Sequence, residues 1–332
     1  MSDMKRREFI ALLGGAGAAW PLSARAQQNE RVPRIGILMG TAEEDPEGQV
    51  RFSALRNALE ALGWTQGRSI QIDLRWAEDE EKTRVYSAQL VALQPDVIVA
   101  NGTPATIALQ RRTQTIPVVF TMVTDPVGQE LVKSLARPGG NITGFTNFEF
   151  SMGGKWLGML KEIAPGLQRV IVPFHPQTAP YAASFLGPLE ASAKSVGVEA
   201  RAIAIHDAGE IERALDAAAR EGNCGLIVLP SVFMTAHREL IVALAARYRM
   251  PGIYAFRYFA ASGGLIAYGV DSADLHRRAA GYVDRMLKGT KPADLPVQQP
   301  TKFELVINLK AANSLGIEIP ATLVARADEV IE

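Results

Sequence analysis

The run Asn101-Gly102-Thr103-Pro104-Ala105-Thr106 puts two threonine hydroxyls, a glycine and a proline where the pattern marks a strand giving way to a helix. Pro104 suits the first helical turn and Thr103 the N-cap before it. A helix start offers unpaired amides and the positive end of the backbone dipole, so Gly102, Thr103, Ala105 and Thr106 form a candidate receptor for a carboxylate. The competing reading is that Thr103 only caps its helix. Asp125, between Thr124 and Pro126, either meets a ligand ammonium or closes its own turn as an Asx cap. Arg257, flanked by Phe256 and Tyr258, either grips an acidic group with two parallel hydrogen bonds or stands solvated on a rim. Phe148, Phe174, Tyr181, Phe233, Tyr254, Phe256 and Tyr258 add aromatic faces suited to flat or apolar ligands, with Tyr254 the one most suited to the core.

Enzyme chemistry has little to build on. His175, His206, His237 and His276 fall in different elements without an i, i+3 or i, i+4 partner, which gives no metal site. No G-x-S-x-G elbow and no phosphate-binding Walker loop occurs, so neither a catalytic set nor a cofactor is expected. Gly14-Gly15-Ala16-Gly17 mimics a dinucleotide-binding run but follows no strand. Cys224, the single cysteine, precedes an apolar run and is read as a small buried residue. The acidic runs at 43–45 and 78–81 read as solvated loops and first-turn helix charges.

The elements that must position these groups come in two similar sets. Apolar runs at Arg34 to Met39, Ser69 to Arg75, Asp96 to Ala100 and Val118 to Phe120 alternate with helical periods at Gln49 to Leu62, Glu81 to Leu93 and Pro104 to Arg112. The order recurs about 135 residues later. It reads as strands Arg169 to Phe174, Val198 to Ile205, Leu226 to Leu229 and Gly252 to Ala255, with helices Tyr181 to Val196, Gly209 to Arg220 and Thr235 to Tyr248. The expected fold is α/β, with two doubly wound lobes. Helix Ala273 to Leu287, an extended segment Pro296 to Leu309 and the tail are too short to be domains, so each must complete a lobe. The expected division is 33–147 with about 271–291, and 148–270 with about 292–332. The helix would pack on the first lobe and the extended segment on the second.

Ligands of doubly wound sheets sit outside the carboxyl ends of the strands. That rule adds Gly40 and Thr41 to the first rim, Phe174, Tyr181 and Ser231 to the second, and Asn147 and Asp271 near the crossovers. Phe256 and Arg257 lie on the second rim as well.

The amino-terminal segment reads as an export signal: Lys5, Arg6 and Arg7, an uncharged stretch from Phe9 to Ala24, and Ala24-Arg25-Ala26. Cleavage is expected after Ala26, by either the twin-arginine or the general secretory route, giving a periplasmic protein. It removes Lys5, Arg6, Arg7 and Arg25 with Asp3 and Glu8, taking 35 basic and 35 acidic residues to 31 and 33. That balance gives no electrostatic case for nucleic acid.

The run TDPVGQELVKSLARPGGNITG from Thr124 to Gly144 resembles the ABC-transporter substrate-binding family of type I periplasmic binding proteins, whose relatives include tryptophan and tyrosine binders. GILMGT from Gly36, PDVIVANGTPAT from Pro95, AYGVD from Ala267 and NLKAANSLGIEIP from Asn308 resemble it too. The resemblance implies lobes that close on a small-molecule ligand about a multi-strand hinge. It also implies a monomer that docks on membrane permease subunits served by a cytoplasmic ATPase. An exported cofactor-dependent enzyme would need a cofactor motif, and a ligand-sensing regulator would carry a helix-turn-helix in place of a signal.

Overall fold

The computed structural model describes residues 31–332, so the expected signal segment lies outside the described residues. Strands β1 (Arg34–Met39), β2 (Gln71–Trp76), β3 (Val97–Asn101), β4 (Val118–Val123) and β5 (Ile142–Thr146) form a parallel sheet in the order β2-β1-β3-β4-β5. β3, β4 and β5 are buried at every position, as befits parallel strands with both faces covered. Alternation along each strand divides the core. Ile35, Ile37, Val97 and Val99 pack with Leu55 and Leu59 of α1 (Pro46–Ala61). On the other side Leu38, Ile98 and Ala100 meet Leu90 of α2 (Glu80–Ala92) and Leu109 of α3 (Thr103–Gln110).

The second sheet holds β6 (Arg169–Phe174), β7 (Glu199–Ala204), β8 (Cys224–Val228), β9 (Gly252–Tyr254), β10 (Ile266–Val270), β11 (Phe303–Asn308) and β12 (Glu329–Ile331). Its order is β12-β11-β10-β9-β8-β6-β7, parallel except where β10 meets β11. Its helices are α4 (Met152–Ile163), α5 (Ala182–Ser195), α6 (Ala208–Glu221), α7 (Val232–Ala236), α8 (Arg238–Arg247) and α9 (Arg257–Ala261). After them come α10 (Ser272–Leu287), α11 (Leu309–Leu315) and α12 (Ala321–Val324).

Three departures from the sequence reading have physical causes. The helix expected over Thr235 to Tyr248 is broken at His237, which leaves helical geometry and ends α7 as α8 begins. β5 and α4 gave no sequence signal, because Gly144 sits inside the strand and Gly153, Gly154 and Gly158 dilute the helix. Packing overrides that propensity: Trp156, Leu157, Leu160 and Ile163 are buried, and Trp156 Nε1 donates to Tyr268 O at 2.8 Å. The segment Pro296 to Leu309 is shared between the sheets. Val297 and Gln298 donate to Leu135 O and Gly144 O beside the first sheet, and only β11 joins the second.

α10 follows β10 of the second sheet yet packs on α1 and on β3, β4 and β5 of the first. The chain therefore passes between sheets after β5, after β10 and after Gln298. The strands of this hinge are tied together, since Thr146 N donates to Gln298 O at 2.9 Å.

Candidate ligand-binding site

The carboxyl ends of β1 and β3 deliver Gly40, Thr41, Gly102 and Thr103 to one wall of a cavity between the lobes. The ends of β6, β8 and β9 deliver Tyr181, Ser231 and Phe256 to the opposite wall, and Asn147 lines it from the first crossover. The cavity holds about 420 Å³ of interatomic space, its mouth included. Glycine is required where the walls approach. A Cβ on Gly40 would lie 2.8 Å from Asn101 O and 3.7 Å from Val232 Cγ2 of the other lobe. Gly102 has φ +90°, a conformation that side chains resist.

Most polar groups of this wall satisfy one another. Thr124 Oγ1 donates to Asn147 Oδ1 at 2.7 Å, and Asn147 Nδ2 donates to Met122 O at 3.3 Å. Ser231 Oγ accepts from Met234 N at 3.1 Å, capping α7. Tyr181 donates its hydroxyl to Pro230 O, and Tyr258 shares a 3.0 Å bond with Thr235 Oγ1. Burial raises the pKa of both tyrosines, that of Tyr258 to about 12, so they stay neutral.

Two lining residues stand outside this accounting. Thr41 Oγ1 is buried without a partner, and so are Nε and Nη2 of Arg51. Arg51 is 4% exposed, and its guanidinium lies 5.5 Å from the centre of the Tyr258 ring. A ring face offsets only part of the cost of burying a guanidinium; its unpaired N–H groups still lack acceptors. Arg51 was not among the residues singled out from the sequence. Its signal was there: Arg51, Leu55 and Leu59 recur at spacing four on the buried stripe of α1, and the charge interrupts an apolar stripe.

Gly102 and Thr103 line the cavity, whereas Ala105, Thr106, Thr124, Asp125, Phe174, Arg257 and Asp271 do not. Gly102, not Thr103, is the N-cap of α3, and Thr103 begins the helix. Thr103 Oγ1 accepts from Thr124 N at 3.4 Å, and Thr106 Oγ1 donates to Gly102 O at 2.9 Å. Ala105 packs in the core beneath the first sheet. Asp125 closes its own turn by accepting from Gly128 N at 2.9 Å, the Asx alternative. Phe174 is half-buried against the core of the second lobe. Arg257 pairs with Glu329 at the surface, and Asp271 caps α10 through Asp274 N. For Thr106, Asp125, Arg257 and Asp271 a protein partner takes the group that a ligand would have used.

Behind the first wall, His276 of α10 is fully buried. Its Nδ1 faces Ser272 O at 2.7 Å and so donates, leaving Nε2 to accept from Asn101 Nδ2 and Thr121 Oγ1, each at 3.0 Å. Burial holds its pKa down to about 3, with the Ser272 bond opposing and Arg51 assisting. His276 is thus a neutral brace for Asn101. Across the mouth, Asp45 and Arg238 of opposite lobes pair at 2.8 Å, 10% and 14% exposed. Among the described residues no group of three histidine, cysteine, aspartate or glutamate side chains is placed to hold a metal ion. Nor is any helix among them long and apolar enough to cross a membrane.

Residues 44–331 match the family described as ABC transporter substrate binding protein. The chain belongs to that family. Its members are binding proteins rather than enzymes. A curated relative, the tyrosine-binding protein of Clostridioides difficile (strain R20291), is 27% identical over 79% of this chain and 75% of its own length. Among solved structures, a conserved domain protein from Vibrio cholerae O1 biovar eltor is 30% identical. It has a TM-score of 0.84 and covers 90% of this chain and 100% of its own. An ABC domain from Streptococcus pneumonia in complex with L-Trp is 26% identical, with a TM-score of 0.83 over 90% of this chain and 99% of its own. The substrate-binding family therefore accounts for the two sheets, the hinge and the interlobe cavity together.

Proposed function

We propose that this chain is the periplasmic solute receptor of an ABC importer and that it captures a small carboxylate, an amino acid or an aromatic acid, between its lobes. The observation that carries the carboxylate is Arg51: a buried guanidinium with two unpaired N–H donors needs an anion in the cavity it lines. A carboxylate fits the guanidinium fork, and the Thr41 hydroxyl supplies a further donor beside it. The amino end of α3, at Gly102 and Thr103, adds its positive dipole on the same wall. The tyrosine- and tryptophan-associated relatives support the substrate class, and the family supports delivery to a membrane permease.

A thermal-shift screen against carboxylates, amides and amines tests the reading, because ligands that bind only the native state raise the melting temperature. Arg51→Met removes the charge and keeps the packing. Truncating one partner of a buried charged pair costs ~2 kcal/mol or more, so carboxylate affinity should fall at least about thirtyfold. The ligand-free variant should melt no lower than wild type, because an unpaired buried charge has been removed. A best ligand that lacks a carboxylate would sink the proposal.

A further inference from the structure

We infer that the ligand is an aromatic monocarboxylate bearing no ammonium group, an inference that rests on the carboxylate reading of the cavity above. The lining is electrostatically one-sided. Among the described residues that line it, Arg51 is the only one with an ionised side chain, so the wall carries one positive formal charge and no negative one. A net monoanion neutralises that wall, whereas an amino acid zwitterion leaves its own ammonium without a counter-charge.

The acidic residues nearby cannot take that role. An α-ammonium nitrogen lies about 2.5 Å from its carboxylate carbon, so a ligand seated on Arg51 confines its ammonium to the same cavity. Asp45 lies in the neighbouring groove, as do Glu44, Glu78 and Glu239, and Arg51 does not line that groove. Asp45 is moreover held by Arg238 at 2.8 Å. Glu47, one helical turn before Arg51, is not among the lining residues. Among the fully buried side-chain oxygens of the described lining residues, Thr41 Oγ1 is the one without a partner, and it accepts a single hydrogen bond. A desolvated ammonium needs charge compensation and three acceptors, so one hydroxyl does not offset its burial.

The rest of the wall selects an aromatic body. Phe256 and Tyr258 stack at 5.1 Å and both line the cavity, with Tyr181 beside them. The two tyrosine hydroxyls are spent on Pro230 and Thr235, so what they offer a ligand is ring surface.

The test is isothermal titration calorimetry of the chain with matched pairs that differ only in the ammonium. The pairs are phenylalanine against 3-phenylpropanoate, tyrosine against 3-(4-hydroxyphenyl)propanoate, and tryptophan against indole-3-propanoate, each with its methyl ester as control. The expected result is at least tenfold tighter binding of the acid lacking the ammonium in one or more pairs, no binding of the esters, and loss of that preference in Arg51→Met. Amino acids binding as tightly as their partners, or no binding by any of the three deaminated acids, would overturn the inference and leave the carboxylate reading standing if the amino acids bind through Arg51. Esters binding as well as acids would overturn both.

Discussion

Charge placement decides what individual residues do in this molecule. Arg51 and His276 both occupy buried sites, yet Nε and Nη2 of Arg51 are left without partners at the cavity while His276 is held neutral in a closed set of hydrogen bonds. The histidine has a consequence for pH. Its folded pKa of about 3 lies below the unfolded value near 6.5, so between those values the unfolded chain binds a proton that the folded chain refuses. The stability that His276 contributes is therefore complete above about pH 6.5 and is lost as pH falls toward 3, by up to ~1.4 kcal/mol per pH unit inside that window. Denaturant titrations of wild type and His276→Gln at pH 7 and pH 5 should show a smaller pH effect in the variant. An identical loss in both would remove His276 as the cause. Neither residue was singled out as a site from sequence. The rule about strand carboxyl ends finds loop residues such as Gly40, Thr41, Ser231 and Phe256, but Arg51 reaches the cavity from a helix interior. Thr106, Asp125, Arg257 and Asp271, which do not line the cavity, are polar groups with a partner a few residues away or, for Arg257, on β12, and such partners are visible only in three dimensions.

At the scale of elements, strand positions were legible where apolar residues dominate the run, as in RIGILM and RVIVPF. β1 and β6 lie where the pattern put them, while β5 and α4 were hidden by glycines, of which Gly144, Gly153 and Gly154 permit close approach. A Cβ on Gly153 would stand 3.2 Å from Leu189 Cβ of α5, so the helix sacrifices propensity for contact with its neighbour. Gly48 in α1 makes the same trade against Thr41, which lines the interlobe cavity. Propensity alone says that Gly48→Ala should stabilise the helix by about 1 kcal/mol. The new Cβ, however, would lie 2.4 Å from Thr41 Oγ1 and 3.0 Å from the Trp76 ring, and overpacking of that kind costs ~1–3 kcal/mol. The clash should win. Thermal melts are expected to show a lower melting temperature for Gly48→Ala, with weaker ligand binding because Thr41 lines the cavity. A rise in melting temperature would mean that Thr41 moves aside freely.

On the scale of the whole molecule, the contacts across the mouth describe a receptor in its closed arrangement. Gly40 faces Val232, Arg51 lies near Tyr258, and Asp45 pairs with Arg238, each contact joining the first lobe to the second. Closure about the hinge is favoured only by what differs between the closed and open states. The Asp45 and Arg238 pair is such a difference, because its partners come from lobes that separate when the cleft opens. Asp45 has a second duty, since its Oδ1 accepts from Glu47 N at 2.9 Å and Gly48 N at 3.1 Å at the start of α1. Asparagine caps helices about as well as aspartate, so Asp45→Asn separates the two roles: the cap persists and the charge leaves. Arg238 retains its bond to Thr235 O at 3.1 Å and gains water only if the mouth opens. Opening relieves the buried charge, so the variant's equilibrium should shift toward the open state. Small-angle scattering of the ligand-free variant should give a larger radius of gyration than wild type, and affinity should fall about fivefold to tenfold through the smaller closed population. Saturating ligand should restore the compact form, because ligand binding favours the closed state whether or not the pair is present. Scattering and affinity both unchanged in Asp45→Asn would show that the pair contributes nothing to closure, and a lower melting temperature with a normal radius would assign Asp45 to the cap alone.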